Sequence, residues 1–277
     1  MTRPFVKMNG AGNDFVVVNA LETPFAPTAD QARAIADRGT GEGCDQLIAL
    51  EPSDRADAFM RVWNADGGGV ETCGNALRCV GWMLLRSSGK DSVVIDTLGG
   101  PTTAWRAPDG RIKVDMGAPR LDWSQIPLDE AMDTRGIELQ LGPIDDPVLH
   151  TPGAVSMGNP HVVFFMDHAP DDAFVRGMGS LIENHPRFPE GVNVGFAHVV
   201  APDHIRLRVW ERGAGLTRAC GTGACAALVA AARRGLTGRA ATIAVDGGEL
   251  IVEWDEATGH VFMTGPIEVE RTGLLAL

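Results

Sequence analysis

Read for hydrophobic and polar positions, the chain sets short apolar runs between glycine-rich breaks, and the pattern occurs twice. Each half shows a strand-like run, a Gly-rich turn, an apolar helix opening at Cys-Gly, and then strands separated by turns such as LGG, PDG and DGG. The two long apolar helices are predicted over Asn75 to Ser87 and Thr222 to Arg234. A further helix is predicted near Thr28 to Arg38, where Thr28 and Gln31 form a capping box that satisfies backbone groups reciprocally. Runs such as VVIDT and KVDM are short and rich in β-branched residues, and several are joined by turns too short for a parallel crossover. Much of each sheet is therefore expected to be antiparallel, in an α+β fold.

The two occurrences are copies of one unit. RVWNADGGGVETCGNALRC, from Arg61, aligns with RVWERGAGLTRACGTGAC, from Arg208, without a gap between the RVW triplet and the first Cys. Arg61 and Arg208, like Cys73 and Cys220, are 147 residues apart, a half-chain offset far longer than a solenoid period. The correspondence extends outward. Asn13 before DFVVVNA parallels Asn159 before PHVVFF, Gly43 parallels Gly191, and the MGAP from Met116 parallels the MTGP from Met263. A duplicated domain is the simplest reading, with a first domain over 1–117 and a second over 118–266. The final segment, 267–277, carries a last strand at Ile267 to Glu270 that is open to a return into the first domain.

Composition narrows the function. The 277 residues are 44% hydrophobic and 22% charged, ordinary globular usage that suits two domains. A formal net charge of −12 argues against a surface that tracks phosphates, so no nucleic acid is expected and a small-molecule substrate is. The opening MTRPFVKMNGAGNDF has no signal-peptide pattern and no apolar run is long enough to cross a bilayer, so a cytoplasmic protein without membrane contact is expected. Five cysteines, an odd number, do not read as a secreted disulfide framework. There is no Tyr, and the only lysines, Lys7, Lys90 and Lys113, lie where none suits a Schiff base with pyridoxal phosphate.

Two cysteines carry the candidate chemistry. Cys73 follows the loop NADGGGVET and precedes Gly74-Asn75 and an apolar helix; Cys220 holds the same place before Gly221-Thr222. At a helix N-terminus unpaired N–H groups and the dipole favour anions, and a thiol pKa can fall from ~8.5 into the ~3.5–7.5 range. The same N–H groups can grip a carboxylate. A buried Cys at a helix start is by itself more often a small apolar residue. Two at equivalent points of a duplicated unit, each followed by Gly, favour the functional reading. Around a pseudo-twofold axis they are expected to face each other across an interdomain cleft, so that one takes a proton from an α-carbon while the other returns one to the opposite face.

Cys79 and Cys225 fall inside the apolar helices and are read as core, and Cys44 in GEGCDQ is left structural. C-x-x-C spacing is absent and no His adjoins either key Cys, so no metal site is expected. The polar residues of these loops form the candidate specificity set: Asn13, Gln46, Asn64, Asn159, Asn193, Glu211 and Arg212. An Asn beside Gly is more often a turn residue. Arg212 suits a second carboxylate and Glu211 an ammonium, against the alternative of a surface ion pair.

The runs KMNGAGNDFVVVN, GCDQLI, NADGGGVETCGNALRC, GNPHVV and ERGAGLTRACGTGACAA together resemble the diaminopimelate epimerase family over nearly the whole chain. The resemblance implies interconversion of LL- and meso-diaminopimelate, on the route to lysine and peptidoglycan, with no cofactor. It implies two pseudo-symmetric α+β domains, each a curved sheet around a central helix, and commonly a homodimer. By resemblance Cys73 and Cys220 form the acid–base pair, and Gly74, Asn75, Gly221 and Thr222 hold the reacting end. Asn13, Gln46, Asn64, Asn159, Asn193, Glu211 and Arg212 complete the substrate contacts, and His161 with Glu211 tunes the thiols. Asn9, Glu42, Ala76 and Leu216 depart from the usual family pattern, at no proposed contact. A proline racemase or hydroxyproline epimerase is the nearest rival, and a thiol redox sensor in which Cys73 and Cys220 form a regulatory disulfide is a rival of another class.

Overall fold

The computed structural model describes residues 2–70 and 73–276. These divide into two compact units, one running to Asp115 and resuming at Thr264, the other Met116–Met263. No described helix is long and apolar enough to cross a membrane.

The first unit begins with β1 (Thr2–Gly10), β2 (Asn13–Asn19), α1 (Ala29–Ala36), β3 (Gln46–Glu51) and β4 (Ala58–Asn64). It continues with β5 (Gly69–Val70), α2 (Gly74–Ser88), β6 (Ser92–Asp96), β7 (Thr102–Arg106) and β8 (Ile112–Asp115). The second unit holds a small hairpin of β9 (Gln140–Leu141) and β10 (Leu149–His150), then β11 (Gly153–Ser156), β12 (Pro160–Phe165), α3 (Asp172–Glu183) and β13 (Asn193–Ala201). It goes on through β14 (His204–Glu211), β15 (Gly215–Thr217), α4 (Gly221–Arg233), β16 (Ala240–Val245) and β17 (Gly248–Trp254), and β18 (Val261–Gly265) crosses the boundary at Met263. The last strand, β19 (Glu268–Ala276), pairs antiparallel with β1 and belongs to the first unit.

Strand pairing is the same in both units. β1–β2 is antiparallel, β2–β3 parallel, β3–β4 and β4–β5 antiparallel, β4–β6 parallel and β6–β7 antiparallel. The run β11 to β17 repeats that order with the same signs. The sheets are thus mostly antiparallel, as short turns demand, and each parallel pair is joined by a connection that contains a helix, which parallel strands require.

The sequence accounts for which strands lie deepest. Phe15, Val16, Val17 and Val18 are all fully buried, as are Leu47, Ile48 and Ala49. Continuous apolar runs of this kind mark strands covered on both faces. In the first unit Val16, Val18, Leu47 and Ala49 pack with Ala32, Ile35 and Ala36 of α1, while α2 contacts β1, β2, β6, β7 and β8. β4, which alternates buried and partly exposed positions, is a one-sided strand. In the second unit α4 contacts β11, β12, β13, β14, β16 and β17. Each sheet therefore wraps its own Cys-headed helix. Close approach is built in: a Cβ on Gly81 of α2 would lie 2.7 Å from Ala104 Cβ, and one on Gly153 would lie 3.0 Å from Ala230 Cβ of α4.

The central helices each start one residue before the predicted spans, at Gly74 and Gly221. α1 has the full Thr28–Gln31 capping box but ends at Ala36, where Asp37 turns extended. The last strand is longer than Ile267 to Glu270, reaching Ala276. One helix, α3, lies outside the sequence reading; Asp171 caps it, accepting from the Phe174 N–H at 2.8 Å.

Candidate active site

In the first unit the polar cluster begins at a turn. β1 passes to β2 through Ala11 and Gly12, with φ of 61° and 92°, the geometry of a two-residue hairpin turn that matches strand twist. An alanine held there costs on the order of 1 kcal/mol, and Ala11 is buried. The turn delivers Asn13, whose Nδ2 donates to Asp45 Oδ2 at 2.6 Å. Gln46 at the head of β3 sits opposite Asn64 at the end of β4, donating Nε2 to Asn64 Oδ1 at 2.9 Å. Gln46 Oε1 is buried without a hydrogen-bond partner among the described residues.

Cys73 is the N-cap of α2, extended at φ −142° and ψ 113°, with no capping bond from its side chain. Its Sγ lies 3.8 Å from Asn13 Oδ1, to which the thiol donates. Gly74 and Asn75 form the first turn, where a helix's leading N–H groups lack intrahelical acceptors. The buried Asn75 side chain accepts from Arg78 Nη1 at 3.0 Å, and Arg78 is itself fully buried.

In the second unit Cys220 caps α4 at φ −123° and ψ 109° and is 4% exposed. Its sulfur accepts from the Gly223 N–H at 3.3 Å and lies 3.5 Å from Thr222 Oγ1. Asn159 Nδ2 donates to that hydroxyl at 3.3 Å, and Asn159 Oδ1 is 3.0 Å from His161 Nε2. His161 on β12 pairs in register with Asn193 on β13. Asn193 Nδ2 donates to the Pro160 carbonyl at 2.8 Å, and its Oδ1 accepts from the Arg212 N–H at 3.0 Å. Arg212 Nη1 donates to the Glu190 carbonyl at 2.7 Å, and Thr217 Oγ1 donates to Glu211 Oε1 at 2.5 Å. Gly191, at φ 71°, leaves room for this arginine, since a Cβ there would lie 3.0 Å from Arg212 Cδ.

Burial decides which groups titrate. Desolvation, with the Arg212 charge second, pushes the His161 pKa down to about 3, so its imidazole is neutral. A neutral Nε2 facing an amide oxygen must be the donor. Burial pushes the Cys44 thiol up to about 11 and the Cys79 thiol up to about 12, which suits core residues and not bases. Burial also works against the Asp14 carboxylate, but hydrogen bonds from Arg38 and Lys7 outweigh it and hold its pKa far below the usual range.

The structure gathers Asn13 with Cys73, and Gln46 with Asn64, as two pairs of the first unit, with Gly74 and Asn75 on the adjoining helix turn. It gathers Asn159, His161, Cys220, Gly221 and Thr222 at one helix start of the second, with Asn193 and Arg212 linked behind them. Glu211 accepts from the Thr217 hydroxyl. Residues without a sequence signal of their own join the set: Asp45, Asp14, Arg38 and Lys7 behind Asn13, Arg78 behind Asn75, and Thr217 beside Glu211.

The family model for diaminopimelate epimerase matches residues 5–121 and 153–270. The intervening stretch holds the β9–β10 hairpin. A diaminopimelate epimerase of Phenylobacterium zucineum is 62% identical over 275 residues, 99% of this chain and 98% of its own. That of Caulobacter vibrioides is 58% identical over 282 residues, with 99% and 98% covered. Among solved structures, a hydroxyproline epimerase from Agrobacterium vitis with bound trans-4-OH-L-proline matches with a TM-score of 0.70 at 18% identity, covering 100% of this chain and 93% of its own. A Bacillus anthracis phenazine biosynthesis protein of the PhzF family matches at 0.68 and 14% identity over all of both chains. At such identities the likeness is one of fold alone.

Proposed function

This chain belongs to the diaminopimelate epimerase family, and on that premise we propose that it interconverts LL-diaminopimelate and meso-diaminopimelate, with Cys73 and Cys220 exchanging the α-proton. The reaction needs neither metal nor pyridoxal phosphate in this scheme, and it serves the formation of lysine and peptidoglycan precursors.

One observation carries the reading: equivalent cysteines cap the central helix of each unit, so each thiol is joined to a helix N-terminus. An amino-acid α-proton is very weakly acidic, and its removal leaves a carbanion that needs preorganised support. As one thiolate takes the proton, the C–H bond breaks, an S–H bond forms, and the electron pair moves toward the substrate carboxylate. First-turn N–H groups of Gly74, Asn75, Gly221 and Thr222 are suited to that charge. The opposite thiol then gives its proton to the other face of the carbon, which inverts it and leaves the protonation of the two sulfurs exchanged. Asn13, Gln46, Asn64, Asn159, Asn193, Glu211 and Arg212 serve as substrate contacts in this reading, and the buried Gln46 Oε1 is an acceptor suited to an ammonium. His161, through Asn159 and Thr222, would tune Cys220. Family membership also supports a homodimer acting in the cytoplasm, the oligomer being read by light scattering.

Incubation with LL-diaminopimelate in deuterated water tests the scheme. The expected result is meso product carrying deuterium at the inverted α-carbon. Unchanged stereochemistry with no deuterium uptake would overturn it.

A further inference from the structure

The two cysteines hold equivalent positions, yet the amide beside each presents opposite ends. In the first unit Asn13 Nδ2 donates to Asp45 Oδ2 at 2.6 Å, which turns Oδ1 toward Cys73 Sγ, 3.8 Å away. In the second, Asn159 Oδ1 is taken by His161 Nε2 at 3.0 Å, so Nδ2 points to Thr222 Oγ1, the hydroxyl 3.5 Å from Cys220 Sγ. In the first unit the neighbour dictates the orientation, because a carboxylate can only accept; in the second the Asn159 carbonyl faces Nε2, so the neutral imidazole donates from that nitrogen.

Asp45 is well fixed for this. Its Oδ1 accepts from Arg38 Nη2 at 2.7 Å and its Oδ2 from the Asp14 N–H at 3.1 Å, while its own N–H donates to Asp14 Oδ1 at 2.9 Å. Asp14 is gripped in turn by both guanidinium nitrogens of Arg38, at 2.8 and 3.0 Å, and by Lys7 at 2.8 Å. The result is a chain of charged groups that ends on one amide.

We propose that Asp45 is a positioning residue that holds the Asn13 carbonyl toward Cys73, so that the resting protein keeps Cys73 as the thiol and Cys220 as the sulfur that more readily carries negative charge. A carbonyl oxygen accepts from S–H and repels a thiolate, whereas the Gly223 N–H on Cys220 favours the anion. Among the described residues, charged or titratable groups on the packed elements include Cys44 beside Asp45 and Asp14, Arg78 and Cys79 on the helix that follows Cys73, and His161 with Arg212 on the side of Asn159. The inference rests on the reading that these two cysteines share the α-proton, and it names the sulfur that is the readier base before substrate arrives.

The test is iodoacetamide labelling of the full chain over a pH series, with the rate at each cysteine followed by peptide mass spectrometry. The Cys220 rate is expected to rise at lower pH than the Cys73 rate, a comparison in which the deeper burial of Cys220 cancels. Asp45→Asn, whose amide can offer an N–H to Asn13 and release its orientation, is expected to speed Cys73 several-fold while leaving Cys220 unchanged, and Asp45→Glu, which keeps an acceptor, to stay near the parent rate. In an Asn13→Ala background the Asp45→Asn change is expected to add nothing. A Cys73 rate that rises at the lower pH in the parent, or an Asp45→Asn effect that persists without Asn13, overturns the inference. Labelling needs no substrate, so a failed labelling pattern with intact epimerisation sinks this inference alone, and absent epimerisation with the expected labelling sinks the functional reading alone.

Discussion

Compare the two junctions where a strand pair hands over to a Cys-capped helix. Cys73 is half-buried, makes no capping bond, and is followed in its helix by Ala76. Cys220 is nearly enclosed and accepts from the N–H of Gly223, the residue equivalent to Ala76. A side chain there would be crowded, because a Cβ would stand 3.2 Å from Cys220 Sγ, Cys220 Cβ and Val209 Cγ2 alike. Further back, β2 carries Phe15 opposite Gln46 where β12 carries His161 opposite Asn193. Duplication has kept the backbone plan, pairing signs included, while the donors and acceptors around each sulfur have diverged. Matching scaffold does not mean matching chemistry.

Removing either sulfur is the severest way to break the comparison. Cys73→Ala and Cys220→Ala are each expected to lower kcat/KM by about 10²–10⁴-fold, the range for losing a positioned acid or base, with circular dichroism unchanged. A single variant retaining near-normal epimerisation would reduce the pair to one working base.

Exchanging the residue three places after each cysteine sharpens it. Gly223→Ala forces the crowded sulfur to move, with an overpacking cost of about 1–3 kcal/mol and at least a tenfold loss of kcat. Ala76→Gly costs about 1 kcal/mol of helix propensity and leaves kcat within about twofold. Chemical unfolding and steady-state kinetics on both variants check this, and equal kinetic losses would erase the distinction.

The mildest test converts the second junction toward the first. His161 has a folded pKa of about 3, against about 6.5 in an unfolded chain. Between those values the unfolded state binds a proton that the folded state refuses, so stability is full above about 6.5 and falls as pH drops, by up to about 1.4 kcal/mol per pH unit for this group. His161→Phe, which copies Phe15, is expected to flatten the urea-measured stability profile between pH 6 and 4 by about one proton. An unchanged slope would show that His161 titrates normally.

The Cys-headed helices were legible because the repeat runs without a gap from RVW to the cysteine and both helices are continuous apolar stretches. α3 was not, because Gly177 and Gly179 interrupt the pattern of Phe174, Val175, Met178 and Ile182. Gly179 is there for packing, since a Cβ on it would lie 2.5 Å from Trp210 Cβ. The mostly antiparallel pairing followed from short turns, but the parallel pairs depend on which strands a helical crossover brings side by side, and no local pattern records that. At the candidate site the same limit holds. Asn13 sits in a motif that draws notice, whereas Asp45 and Arg38 matter only through contacts reaching 32 and 24 residues along the chain. His161 reads in sequence as an ordinary strand histidine, and only its full enclosure beside Asn159 sets it apart.

The pairing of β19 with β1 also sets a timetable for synthesis. β1 waits for a neighbour that emerges only after all of Met116–Met263 has been translated. At roughly 5–20 residues per second that delay is on the order of ten seconds, long enough for the second unit to fold ahead of the first. Until then β1 exposes an unpaired edge, the kind of surface on which nascent chains aggregate, and a ribosome stalled late in the message would leave one unit folded and the other open.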